Sequence, residues 1–136
     1  MTIDRRGLVA AGAAAMVASA ARAQGGGNSF PSGFLWGAAT AGHQVEGNNV
    51  SSDQWLLENV KPTITGSPSG DAVNSFELWR DDLDVVKAMG LNSYRFSLEW
   101  ARIEPEPGLI SLAMLDHYKA MMDGCRARGL TPVVTF

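Results

Sequence analysis

The sequence predicts an α/β fold in which strands and helices alternate and the strands run parallel. The first observation behind it is the order of patterns along residues 30–136: strand, helix, strand, helix, and the start of a third strand. The second is a repeat. Met89-Gly90-Leu91-Asn92 and Arg128-Gly129-Leu130-Thr131 are both helix end, glycine, leucine, strand start, with glycines 39 residues apart (129 minus 90). That spacing is one strand–loop–helix unit, the rhythm of parallel strands joined by right-handed crossovers. The third is composition: 136 residues, 46% hydrophobic and 18% charged, which suits one small globular domain.

Several function classes are disfavoured at once. A formal net charge of −3 and an isoelectric point near 5.2 give no sign of nucleic-acid binding. Two histidines and one cysteine are too few for a self-contained Cys/His zinc site. Cys125 has no second cysteine to form an internal disulfide.

Residues 1–23 read as an export signal outside the fold. Arg5-Arg6 form a short positive region, Gly7 to Ala21 an uncharged Ala/Gly-rich run, and Ala21-Arg22-Ala23 a small-x-small cleavage pattern. Cleavage is expected after Ala23, before Gln24. The run is too short and too weakly apolar to span a bilayer, so no membrane anchor is expected after cleavage. The paired arginines suit a twin-arginine signal; an ordinary secretory signal is the alternative. Either way the protein is expected to be exported, to a periplasm, with residues 24–29 as a flexible leader.

The first strand is expected in the apolar run Phe34-Leu35-Trp36. It passes into five small residues, Gly37 to Ala41, and then into the polar loop Gly42-His43-Gln44 and Glu46-Gly47. Small side chains let backbone and ligand approach closely, and the Gln44 amide offers both a donor and an acceptor to a neutral polar ligand. Asn48 to Asp71, rich in Ser, Asn, Pro and Gly, reads as a long loop with a helical turn near Asp53 to Glu58. Loops of this length are more often functional than accidental.

A helix is expected from about Ser75 to Met89. Asn74 is its N-cap and Glu77 its reciprocal partner in a capping box. Phe76, Trp79, Leu83 and Val86 form one apolar stripe, widened by Leu78, Val85 and Met89, with Gly90 as the closing residue. Trp79 is therefore core.

Leu91 to Leu98 alternates as a strand, with Tyr94, Phe96 and Leu98 on one side and Ser93, Arg95 and Ser97 on the other. An arginine there is costly to bury without a carboxylate or comparable partner. Either the strand is an edge with a solvated face, or its polar face points into the mouth of a barrel.

Glu99 to Leu109, broken by Pro105 and Pro107-Gly108, reads as a loop. Ser111 then caps a helix from about Leu112 to Arg128, with Asp116 in its first turn and Arg126 and Arg128 in its last. Leu115, Tyr118, Met122 and Cys125 make its inward stripe, which leaves His117 on the surface. Gly129 ends it, and Thr131 to Phe136 begins the third strand. Three such units are about three of the eight β/α units of a (β/α)8 TIM barrel, which needs roughly 250 residues. Phe136 lies inside an apolar strand with no cap or turn, so residues 30–136 are expected to be a truncated N-terminal portion of such a barrel.

Phe30-Pro31, Phe34-Leu35-Trp36-Gly37, Ala39-Thr40-Ala41 and Gln44-Val45-Glu46-Gly47 together resemble the N-terminal signature of glycoside hydrolase family 1, the β-glucosidase family of retaining enzymes. Tyr94-Arg95-Phe96-Ser97 with Trp100, Arg102-Ile103 and Pro105 is a second match, and Gly129 to Thr135 resembles the family's third strand. Around Asn74-Ser75-Phe76 the chain departs from the aspartate-histidine-tyrosine run common in the family. The resemblance implies hydrolysis of a β-linked glycoside or oligosaccharide by double displacement, with neither metal nor organic cofactor.

It also implies roles. Gln44 matches the glutamine that hydrogen-bonds sugar hydroxyls; an amide tying down its own loop is the alternative. Arg95 matches the arginine beside the nucleophilic carboxylate, a supporting role; a purely structural ion pair is the alternative. Glu46, Trp100 and Arg102 match too, and are assigned to the scaffold. The family's acid/base and nucleophile positions fall beyond Phe136, so Glu58, Glu77, Glu99, Glu104 and Glu106 are not catalytic candidates. Three readings follow: part of an exported retaining β-glycosidase, inactive on its own; a non-catalytic sugar-binding relative; or the product of an interrupted gene.

Overall fold

The alternation at residues 93–97 builds the centre of the sheet. In the computed structural model, which describes residues 29–136, β1 (Gly37–Ala39), β2 (Ser93–Ser97) and β3 (Thr131–Thr135) form one parallel sheet in the order β1-β2-β3. The helices between are α1 (Gly42–Val45), α2 (Asp53–Asn59), α3 (Ser75–Ala88), α4 (Trp100–Ile103) and α5 (Leu112–Ala127). The export signal expected over residues 1–23, and the leader save Ser29, lie outside the described residues. Two units are distinguished, one ending at Phe34 and one covering Leu35–Phe136. In the first, a turn bonds Phe34 N–H to the Pro31 carbonyl at 3.0 Å, and the Phe30 and Phe34 rings lie 4.6 Å apart.

Within the second unit, parallel register puts Ala38 beside Tyr94 and Tyr94 beside Pro132. Tyr94 and Phe96 are buried, and with Trp79, Leu83 and Val86 of α3 and Tyr118, Met121 and Cys125 of α5 they make the core. Both long helices therefore cover one face of the sheet, as two crossovers of the same hand require. Their close approach depends on Gly124: a Cβ there would lie 2.4 Å from the Trp79 ring. Gly90 and Gly129, the repeat glycines, have φ of 78° and 70°, the left-handed conformation that stops each helix before its strand.

Several sequence expectations need correction. The first strand is not the aromatic run but the small residues after it: Leu35 and Trp36 are each 49% exposed, while Gly37–Ala39 pairs with β2. The reason is proximity, since a Cβ at Gly37 would stand 2.9 Å from the Ser93 carbonyl oxygen. Asn74 precedes α3 but forms no capping box; at φ 54° its side chain makes no cap hydrogen bond, and its carbonyl takes the N–H of Glu77. Leu78, Val85 and Met89 are exposed, so the α3 stripe is narrower than its hydrophobicity suggests. Asp116 lies beyond the first turn of α5, and Met121 rather than Leu115 completes the buried stripe. The 99–109 loop contains α4, capped by the Glu99 carboxylate accepting from Ala101 N–H. The capping of α5 by Ser111, the burial of Trp79 and Cys125, and a helical turn at Asp53–Asn59 all stand.

Candidate functional site

A four-residue helix cannot hold itself together, because one turn of hydrogen bonds does not offset the cost of nucleation. The α1 turn, which carries Gln44, is held from outside at both ends. Gly42 and Glu46, four residues apart, share its buried face, whereas Gln44 points the other way and is exposed. No side-chain hydrogen bond engages Gln44 among the described residues; its backbone N–H donates to the Ala41 carbonyl at 3.0 Å.

The C-terminal anchor is Glu46, only 4% exposed. Its Oε1 accepts from the Tyr118 hydroxyl at 2.9 Å and its Oε2 from Arg102 Nε at 3.1 Å. The other end of the guanidinium donates to the Gly47 carbonyl at 2.8 Å, and its plane lies 4.4 Å from the Phe76 ring centre. Gly47 is irreplaceable on sterics, with φ 83° and no room for a Cβ, which would fall 2.2 Å from the Asp71 carbonyl oxygen. Burial raises the Glu46 pKa, opposed by the hydrogen bond from Tyr118 and the charge of Arg102. Burial, followed by the Glu46 charge, raises the Tyr118 pKa far enough to make its hydroxyl a permanent donor.

The N-terminal anchor is His43. Its Nε2 lies 2.8 Å from Glu58 Oε1 on α2, and its Nδ1 lies 3.2 Å from the Ser52 hydroxyl that caps the same helix. Glu58 Oε2 accepts from both the N–H and the hydroxyl of Ser69, which fastens the far side of the long loop. Those contacts, the Ser69 backbone N–H first and His43 next, hold the Glu58 pKa below the usual carboxylate range.

Arg95 sits at the middle of β2, in register with Ala39 and Val133, on the face the helices leave open. Because β2 is the central strand, the edge-strand alternative is excluded. Arg95 is exposed and has no ion pair or side-chain hydrogen bond among the described residues. Its carbonyl accepts from Thr40 N–H at 3.0 Å, which joins the end of β1 to β2 four residues before Gln44. Trp100 is half-exposed and donates through Nε1 to Glu104 at 2.9 Å.

The glutamates of these loops are occupied. Glu46, Glu58, Glu99 and Glu104 each have both carboxylate oxygens taken by donors: Glu99 by Asn49 and the Ala101 N–H, Glu104 by Trp100 and the Gly108 N–H. Glu77 lies exposed on the first turn of α3, and Glu106 in the exposed 106–109 bridge. No group of His, Cys, Asp and Glu among the described residues is placed to hold a metal ion. The arrangement offers hydrogen-bond recognition through Gln44 and a positive charge at Arg95.

His117 was expected on the surface and is not there. It stacks on Phe76 at 3.9 Å, half-buried, and burial pushes its pKa down. The His43–Glu58 pair and the donation from Tyr118 to Glu46 also went unread, since they join residues 15 and 72 positions apart with no local periodicity to announce them.

Comparison with known proteins follows the same lines. The family model described as glycosyl hydrolase family 1 matches residues 27–136. A beta-glucosidase of Agrobacterium sp. is 40% identical over 113 residues, covering 78% of this chain and 25% of that protein. The crystal structure of beta-glycosidase BGL167 aligns with a TM-score of 0.77 at 61% identity, covering 79% of this chain and 26% of that one. A beta-glucosidase from Thermotoga maritima, in complex with a methoxycarbonyl-substituted glucoimidazole, aligns with a TM-score of 0.69 at 31% identity over 79% of this chain and 26% of that one. The chain thus spans about a quarter of the length of the relatives it matches. Its three parallel strands with their helices correspond to part of the barrel of those structures.

Proposed function

The chain belongs to glycosyl hydrolase family 1, and from that premise we propose that it supplies the sugar-recognition part of a retaining β-glucosidase-like hydrolase. The observation that carries this reading is Gln44, exposed on a single turn whose buried neighbour Glu46 is fixed by two hydrogen bonds. A rigidly presented carboxamide donates to one hydroxyl of a vicinal diol and accepts from the next, which is how a neutral sugar is distinguished from water. Arg95, on the open face of the sheet, would hold a nucleophilic carboxylate ionised and oriented.

Hydrolysis with retention needs two carboxyl groups about 5–5.5 Å apart, one acid/base and one nucleophile. Glu46, Glu58, Glu99 and Glu104 each have both carboxylate oxygens hydrogen-bonded within the fold, which suits glutamates that hold loops in place. The resemblance places the acid/base and the nucleophile beyond Phe136, so the reacting pair is assigned to residues outside these 136, and the chain alone is proposed to be inactive. Export belongs to the same reading, supported by Arg5-Arg6, the Gly7 to Ala21 run and the Ala21-Arg22-Ala23 cleavage pattern.

The test is hydrolysis of an aryl β-glucoside by residues 24–136 and by a complete barrel containing them. Turnover by the complete barrel alone is expected. Turnover by the isolated chain that disappears when one of its own glutamates is changed to glutamine would overturn the assignment.

A further inference from the structure

We infer that Arg102 and Tyr118 are positioning residues for Gln44, acting through the carboxylate of Glu46. The inference rests on the proposed role of Gln44 in sugar binding and adds what aims it.

Four observations combine. The α1 turn is too short to keep its own conformation, so its orientation is whatever its anchors impose. Residues 42 and 46 lie on one side of that turn and residue 44 on the opposite side, so the anchors that fix Glu46 also set the direction in which Gln44 is presented. Glu46 folds its carboxylate under Gly42, where a Cβ would come within 3.4 Å of it, and each oxygen has a single donor from a different helix. Finally, Arg102 holds two successive residues at once, the Glu46 side chain and the Gly47 carbonyl, which fixes both position and twist at the end of the turn.

The donors are themselves well fixed. Arg102 lies on α4, directly after β2, with its guanidinium packed over Phe76 of α3. Tyr118 is 1% exposed on α5, and its hydroxyl also accepts the Glu99 N–H at 3.2 Å. Elements following β1 and β2 are thereby locked to the turn that follows β1. A buried ion pair is a weak source of net stability, because desolvation offsets most of the attraction. It is a good source of a single geometry, and a side chain reading two hydroxyls needs one.

The test is a double-mutant cycle on kcat/KM for an aryl β-glucoside in the complete barrel, using Gln44→Ala, Tyr118→Phe, Arg102→Met and the pairs with Gln44→Ala. Tyr118→Phe keeps volume and the ion pair, so it covers the case in which Arg102→Met does not fold. Each positioning variant is expected to lower kcat/KM by about ten-fold when Gln44 is present and by less than about two-fold when it is absent. Full additivity, or a lowered melting midpoint with kcat/KM unchanged, would overturn the inference. If Gln44→Ala alone leaves kcat/KM unchanged, the proposed role of Gln44 fails instead. Amide hydrogen exchange at Gln44 and Glu46 reads the brace without catalysis: about ten-fold faster exchange is expected in Tyr118→Phe, and unchanged exchange counts against it.

Discussion

His43 and Glu58 meet across 15 residues of chain, Nε2 to Oε1 at 2.8 Å, and so close the loop that follows the Gln44 turn. Replacing Glu58 with glutamine removes the carboxylate that His43 meets and weakens the grip on Ser69. Limited proteolysis between residues 48 and 71 is expected to accelerate several-fold in Glu58→Gln. An unaltered cleavage rate would show that the loop is held elsewhere.

Glu58 and Glu46 should leave opposite marks on pH dependence. The Glu58 pKa is lowered in the fold, chiefly by the Ser69 N–H and then by His43, so its contribution is full above the ordinary carboxylate value of 4.5 and is lost as pH falls through the folded value. The Glu46 pKa is raised by burial, so its contribution is greatest below 4.5 and declines as pH rises through the folded value. Melting midpoints measured from about pH 2 to 8, a range that brackets the ordinary carboxylate value, should show a smaller acid-side loss in Glu58→Gln. Glu46→Gln, whatever its overall stability, should lack the decline above 4.5 that is expected of the parent.

Gly124 allows α5 to lie against Trp79, where a Cβ would meet the ring at 2.4 Å. Gly124→Ala is expected to destabilise the fold by about 1–3 kcal/mol through overpacking, despite alanine's better helix propensity. Denaturant unfolding measures it, and a smaller ring at position 79, as in Trp79→Leu, should reduce the penalty of the added methyl.

Cys125 is fully buried, and burial pushes its thiol pKa up. A thiol reagent should therefore react only as fast as the core opens, and at the free-thiol rate in denaturant. Rapid labelling of the folded protein would contradict the packing of α5 on the sheet.

What could be read from the sequence was local. Tyr94 and Phe96 announced their strand by alternation, Trp79, Leu83 and Val86 their helix by spacing, and Gly90 and Gly129 their helix ends by backbone conformation. The most hydrophobic run, Phe34-Leu35-Trp36, is not the first strand. The pairing is set instead by how close Gly37 can come to Ser93. No capping box forms because Asn74 closes a turn with the Asp71 carbonyl and takes a left-handed backbone in place of the extended one that a capping residue needs. At the site, Gln44 was legible as a carboxamide following a run of small residues and Arg95 as a charge on the polar side of its strand, and the motifs that hold them supplied their roles. The partners of Glu46 lie 56 and 72 residues away, and no periodicity connects positions that far apart.

The central claim is that Gln44 recognises the sugar while other residues cleave it. The most direct measurement is kcat/KM of Gln44→Ala for an aryl β-glucoside in the complete barrel, beside its melting midpoint. A fall of about ten- to a hundred-fold with the midpoint unchanged is the predicted result, since one side chain making two hydrogen bonds to the reacting sugar is removed. Unaltered kcat/KM would contradict the account and return Gln44 to the structure of its own loop.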